Sequence, residues 1–519
     1  MVWHIFKKDW KLIWVFAVTV ALLHLVAAFV LFKRGLFGED ATLEMLSEAI
    51  PILAFLASMF LIAAIVHLEA IPGLRQDWLV RPIRRGSLLL EKILFVVIVV
   101  AGPIFAANLF QGIADGFSSR ASMFSAMSYV IFLLFFLILP LFAFASVTQN
   151  MTEAFIFGCG CTFVIGAFLL LADYINQSAH GNFIVVTHSG VGWIGEVFRF
   201  VLVAIAASFI LWLQYFRRKT SMSRLLLIVF GVLILASQFF PWRLAFAIEQ
   251  RLSPNPTAGA LTAVTFDQTR GRFKSPSGFS GNVERRGNEH NAELFVPLQV
   301  AGIPGDEILL TDRVEVHVNG KDGRTVYHGM GGGFEVDKGG ADHAEANVYQ
   351  RIGLPITTYF SAKDQALQVH IDYSLTQFAL ARSYSMPAVD GDVRMPELGW
   401  CQTRINGART SVALHCIVPG RAPVCGTAFL QNASTGAKNP AESSCRSDYG
   451  PFLDSPLPDA FTRFGTSLPF NDPSGLAKFP VDGSQLHQAR VIIRLYEPQD
   501  HFTRSLVIPE IRLKDWEAQ

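Results

Sequence analysis

An excess of charge of either sign is the first thing this sequence lacks. Its 519 residues carry 43 Lys and Arg against 42 Asp and Glu, so it offers no basic face of the kind nucleic acid requires. No G-x-x-x-x-G-K-[ST] phosphate loop occurs, which excludes ATP hydrolysis by the chain itself through that motif. Neither a Ser elbow nor an H-E-x-x-H pair is present, and the sequence makes no positive case for an enzyme. Gly190-x-Gly192-x-x-Gly195 has the dinucleotide spacing, but no strand leads into it and the later acidic residue is missing. No cleavable leader is expected either: the apolar run Trp14 to Phe32 is too long for one and has no small-residue site after it. We read that run as a retained first membrane helix.

What is abundant is apolar surface. Hydrophobic residues make up 51% of the chain, 44 of them Phe, and they crowd into the first half. Crossing about 30 Å of hydrocarbon takes about 20 residues. Seven segments meet that length, near 12–32, 49–70, 93–113, 124–147, 154–174, 196–216 and 225–245. Lys7, Lys8 and Lys11, then Arg75 to Lys92, then Arg217, Arg218, Lys219 and Arg224 all fall on one side of this array. The other side has only Lys33, Arg34, Arg120 and Arg199. Cationic loops stay in the cytoplasm, so the N-terminus is expected inside and everything after about residue 246 outside.

Several finer expectations follow. Met1 to Lys11 alternates Trp3, Ile5, Phe6 and Trp10 with lysines, which suits either a short helix lying on the inner leaflet or a basic flank anchoring the first span. Ala154, Gly158, Thr162 and Gly166 recur every four residues and would let a neighbouring helix approach closely, within this chain in preference to a subunit interface. Cys159 and Cys161 are read as core residues. Pro103 and Pro140 should kink or locally unwind their helices. His24 and His67 are expected at core or interfacial positions and Asp173 at the outer boundary. No chain of buried acids suggests a proton-driven carrier.

After Leu252 to Ala260, a Pro- and small-residue stretch, the texture changes to short alternating runs broken by Gly, Pro, Asn and Asp. Val314 to Val318 before Asn319-Gly320 reads as a strand entering a tight turn. Leu367 to Tyr373, Thr410 to Val418, Ala489 to Tyr496 and Ser505 to Leu513 read as further strands. The expected fold is a polytopic α-helical membrane domain over 1–248, a linker over 249–262 and an all-β, sandwich-like extracytoplasmic domain over 263–519. The last divides into 263–385 and 400–519 if it holds two modules. Gly329 to Gly333 and Gly339-Gly340 flank Phe334 to Lys338, a hairpin tip in preference to a ligand clasp. Asp342, His343 and Glu345 form a solvated loop more readily than a metal site.

Cys401, Cys416, Cys425 and Cys445 all fall in this second half, and an even cluster in a region assigned outside the cell reads as two disulfides. Three pairings are open; Cys401–Cys416 with Cys425–Cys445 is the one favoured. Zinc is the rival, with neither a Cys-x2-Cys pair nor a His at ligand spacing beside the cysteines to support it.

The stretch from Leu68 to Lys92 concentrates Arg75, Arg81, Arg84, Arg85 and Lys92 between two apolar segments. Its Trp78 to Ile83 run, followed by Arg84, Arg85 and Leu88-Leu89-Leu90-x-Lys92, resembles the first cytoplasmic loop of ABC-2-type permeases. These are membrane subunits of bacterial ATP-driven exporters, and the resemblance covers about the first half of the chain. It implies a coupling segment, Leu74, Arg75, Asp77, Trp78, Arg81, Pro82, Arg84 and Arg85, that receives a separate cytoplasmic ATPase subunit. It also implies a pair of permease chains in the inner membrane, with ATP held by the partner and no cofactor or metal in this chain. Topology anchoring is the other reading of the same arginines. A seventh crossing and a large outer domain depart from the family's pattern. They leave room for a membrane-anchored periplasmic binding, assembly or sensing module, and more distantly for a periplasmic hydrolase.

Overall fold

The computed structural model describes residues 2–37, 41–68, 85–178, 191–217, 219–270, 284–286, 289–337, 345–396, 398–419, 425–445, 460–471 and 479–516. Among these, seven helical stretches are long and apolar enough to cross a membrane. They are Val2–Lys33, Met45–His67, Gly86–Ala114, Ser119–Val147, Met151–Asn176, Gly192–Arg217 and Thr220–Phe239. The helices are α1 (Val2–Phe37), α2 (Ala41–His67), α3 (Arg85–Val96), α4 (Gly102–Ala114), α5 (Ser119–Leu133) and α6 (Leu139–Val147). They continue with α7 (Met151–Ser178), α8 (Gly192–Trp212), α9 (Thr220–Ala236), α10 (Trp242–Arg251) and α11 (Ile356–Ala362).

Local chemistry explains where these helices run on and where they stop. From Val2 to Arg34 there is neither Pro nor Gly, so α1 is one uninterrupted rod. Of the two readings of Met1 to Lys11, the separate surface helix does not form: the lysines ride on the first turns of the first span, as a basic flank would. Pro103 and Pro140 lack an N–H and press on the carbonyl four residues earlier, widening the preceding turn. Each is preceded by five residues of π-helix, Val97–Ala101 and Leu134–Ile138, so both spans loosen without breaking. The last span ends short of the expected residue 245, because Phe240 and Pro241 are extended and α10 starts afresh at Trp242.

Spans one, two, three, four and six share a buried core that includes Val20, Leu61, Phe95, Phe142 and Ile210. Span seven reaches this core through Leu226 and Leu227, whereas span five contributes nothing to it; Phe163 and Leu170 on α7 are 78% and 75% exposed, so their side chains meet little of this chain. Gly158 and Gly166 have open space where a Cβ would stand, and the Thr162 hydroxyl donates to its own helix at the Gly158 carbonyl. Of that small-residue face, Ala154 is buried within the chain, while Gly158 and Gly166 meet no other part of it. Cys159 and Cys161, expected in the core, are exposed as well.

Among the described residues fifteen strands follow. They are β1 (Ala263–Phe266), β2 (Glu284–Arg286), β3 (Glu289–Ala301), β4 (Glu307–Gly320), β5 (Thr325–Met330), β6 (Glu335–Asp337), β7 (Glu345–Pro355) and β8 (Leu367–Pro387). The rest are β9 (Gly391–Met395), β10 (Gly399–Ile405), β11 (Ser411–Pro419), β12 (Cys425–Asn432), β13 (Glu442–Cys445), β14 (Phe461–Pro469) and β15 (Ala489–Ile511). One antiparallel sheet runs β13-β12-β15-β8-β4-β5, with β6 also on β4. Two four-stranded sheets join β1, β2 and β7 to β3, and β14-β11-β10-β9 in line. One core lies between the β3 sheet and β4, β8 and β15, around Leu298, Val316 and Ile371. The other gathers Leu414, Leu430 and Val491 against the β10 and β11 sheet.

Two expected strands, Ala489 to Tyr496 and Ser505 to Leu513, are halves of β15. Pro498 between them sits where the pairing with β8 shifts register, at a position that needs no N–H for the ladder. Gly329 to Gly333 do not form a free tip: the chain returns as β6, and Phe334 packs edge-on against Tyr373. The disulfides are Cys401–Cys416 and Cys425–Cys445, as favoured, each joining residues directly opposite on neighbouring strands.

Candidate functional site

Of the residues singled out for coupling, Leu74, Arg75, Asp77, Trp78, Arg81, Pro82 and Arg84 lie outside the described residues, and Arg85 opens α3. Asp342 and His343 lie outside them too. The helix ends on either side of residues 69–84 belong to α2 and α3. Lys92, about two turns into α3, donates to Asp9 Oδ2 at 2.5 Å, and Glu91 Oε2 is 3.6 Å from the same ammonium. Asp9, Glu91 and Lys92 are all fully buried. Thus Lys92 is a buried helix residue that fastens the third span to the first. At the same end of the bundle His67, the last residue of α2, meets Thr148 at 3.3 Å. There too Arg224 donates to the Val147 carbonyl and to Glu153 Oε1 at 2.9 Å.

Between the first four spans lies a cavity of about 80 Å³. Apolar walls from Ile62, Ile104 and Leu133 enclose a few polar groups, among them His24, Ser58, Asn108 and Gln111. His24 Nε2 and Ser58 Oγ are 2.9 Å apart, and Asn108 is turned back onto the Ile104 carbonyl. Both widened turns contribute to the lining, through Val100 and Ile138. A mostly apolar hollow with a few convergent polar groups is the usual form of a small-molecule site. Its residues are spread over four helices, so nothing in the linear sequence beyond the two prolines pointed to it.

The β region is seated on the end of the bundle opposite Lys92. Phe461 stacks on Phe117 with centroids 5.3 Å apart, and a Cβ on Gly112 would stand 2.3 Å from the Phe461 ring. Ser125 donates to the Ala460 carbonyl at 2.7 Å, and the Trp400 N–H to Asp115. A second seam runs through α10. Trp193 Nε1 donates to Glu249 Oε1 at 2.9 Å, and His501 Nδ1 lies 3.8 Å from Glu249 Oε2. Thr376 donates to Asp312, which leaves its oxygen to accept from His501 Nδ1 at 2.8 Å.

Burial pushes the Glu249 carboxyl up to about 7, against the opposing hydrogen bond from Trp193. Burial likewise pushes the His501 imidazole down to about 4, against the attraction of Asp500. Both groups are therefore neutral in mildly acidic solution. Folding holds the Glu249 proton more tightly than the unfolded chain does, so this residue's contribution is lost as pH rises to about 7. His501 works in the other direction, gaining stability as pH rises from about 4 towards the ordinary imidazole range. The two slopes offset one another through mildly acidic pH. Glu249→Gln keeps an acceptor for Trp193 and removes one slope, so the unfolding midpoint of this variant should climb from pH 5 to pH 7.5 while the parent stays nearly level. Thermal unfolding in detergent across that range decides it; identical profiles would refute the assignment.

No protein-family model matches this chain, and no curated protein matches it.

Proposed function

We propose that this chain is the membrane subunit of an ATP-driven exporter of the ABC-2 type, working with a separate ATPase. The reading has the seven spans in a bacterial inner membrane and the N-terminus in the cytoplasm. The disulfide-bonded β region then stands in the periplasm, where disulfides persist. The observation that supports it is the placement of the two helix ends that flank residues 69–84. α2 ends at His67 and α3 begins at Arg85, both at the bundle end remote from the β region, the end that also holds the buried Asp9–Lys92 pair. A motor pushing on a short cationic loop needs the loop tied to rigid helices, and this pair ties it to two. The cavity beneath Gln111 supplies a site for an apolar substrate with a small polar group. ATP stays on the partner, and a second permease chain completes the assembly. The uncovered Gly158 and Gly166 face of α7 gives such a copy room to pack.

The test is co-purification from native membrane. An ATPase subunit should accompany the chain and be lost when Arg81, Arg84 and Arg85 are all changed to Glu. A complex that survives the triple change rules out the coupling segment. Absence of any ATPase from the parent preparation favours the anchored periplasmic module instead.

A further inference from the structure

We infer that the β region carries a site for one divalent transition-metal ion of the zinc or copper class, held by His317, His328 and His370. The inference stands on sheet register and does not depend on the exporter assignment.

Along β4, Val314, Val316 and Val318 point into the core and are almost fully buried, so Glu315 and His317 occupy the opposite face. Antiparallel pairing then sets His317 directly opposite His328 on β5 and His370 on β8, forming a row of three imidazoles across three adjacent strands. The next row on the same face holds Glu315 and Asp372 opposite one another. Ring centroids are 4.2 Å apart for His317 and His328 and 6.1 Å for His317 and His370. Donor atoms of Glu315, His317 and His328 all lie within 4.8 Å of one another. Ligands sharing one zinc ion at about 2.0–2.1 Å stand roughly 3.3 Å apart, a gap that modest side-chain rotation closes between His317 and His328; His370, with its ring 6.1 Å from that of His317, has to turn farther to reach the same ion.

The carboxylates have supporting parts. Asp372 lies 3.2 Å from His370 Nε2 and accepts from Ser505, an arrangement that orients an imidazole and leaves its other nitrogen for a metal. Glu315 is already engaged by Arg313 at 2.9 Å and by Arg243 at 2.5 Å. It would join the ion only by releasing Arg243, whose side chain is 74% exposed. Three imidazoles select zinc, copper or nickel over magnesium or calcium, which prefer oxygen donors. Arg243 belongs to α10, the first helix after the last span, and Arg313 stacks on Trp242 of that helix at 4.8 Å. An ion at this patch therefore acts next to the junction between the spans and the sheets.

The full chain, purified in detergent without a histidine tag and stripped with chelator, is dialysed against Zn²⁺, Cu²⁺ or Mg²⁺ and its metal content measured. One Zn²⁺ or Cu²⁺ per chain should be retained and no Mg²⁺, and bound Cu²⁺ should show nitrogen hyperfine coupling. His328→Gln and His370→Asn should each weaken binding more than about tenfold, since losing a ligand costs at least as much as losing its outer-shell support. His487→Gln, an exposed position outside the patch, should leave it unchanged. His328 is exposed, so its variant decides the matter even if His370→Asn fails to fold. Failure of the parent to retain Zn²⁺ or Cu²⁺ would overturn the site, as would parental affinity in His328→Gln.

Discussion

Replacing Lys92 with Met should destabilise the helical bundle by about 3–5 kcal/mol, the usual cost of leaving one member of a buried ion pair without the other. Asp9 and Glu91 are both buried against the ammonium, so its loss strands carboxylate charge where water does not reach. The pair as a whole contributes less than this figure suggests, because bringing both charges out of water offsets most of their attraction. Asp9→Leu combined with Lys92→Met should therefore recover much of the single variant's loss. Unfolding midpoints of the three proteins in one detergent give the comparison. A single variant as stable as the parent would mean the pair does not hold the first and third spans together.

The second large effect concerns the disulfides. Cys401 and Cys416 are 15 residues apart, both buried, and join directly paired residues of β10 and β11. Closing a loop of that length removes about 3 kcal/mol of freedom from the unfolded chain. Cys401→Ala with Cys416→Ala should lower the stability of the β region by about that amount, and reductant should do the same to the parent. In intact cells none of the four cysteines should react with an alkylating reagent until reductant is added. Ready alkylation would remove the oxidising environment from the account, and with it the strongest support for a periplasmic β region.

Much of this architecture is legible in the sequence because it depends on local composition. Seven apolar runs give seven helices, and Pro103 and Pro140 mark where two of them loosen. The cysteine pairing is legible as well, since both partners sit on neighbouring strands. What is not legible depends on contacts between distant residues. Lys92 looks like one more loop cation until Asp9, 83 positions earlier, is found against it. The row of histidines is hidden because His317, His328 and His370 share no motif spacing, and only the register of β5, β4 and β8 aligns them. The small-residue spacing on α7 signals that close packing is allowed there, yet carries no information on which helix uses it. Pro498 lies between the two stretches read as separate strands, and only the pairing with β8 shows that they are one strand with a register shift beside it.

The central claim is that the basic loop after α2 and the disulfide-bonded sheets face opposite sides of one membrane. Paired reporters fused at the carboxyl end test it most directly: alkaline phosphatase, active only outside the cytoplasm, and a fluorescent protein that matures only within it. The expected result is an active phosphatase and a dark fluorescent fusion. A bright fluorescent fusion with inactive phosphatase would put the sheets beside the basic loop and contradict both the topology and the exporter reading.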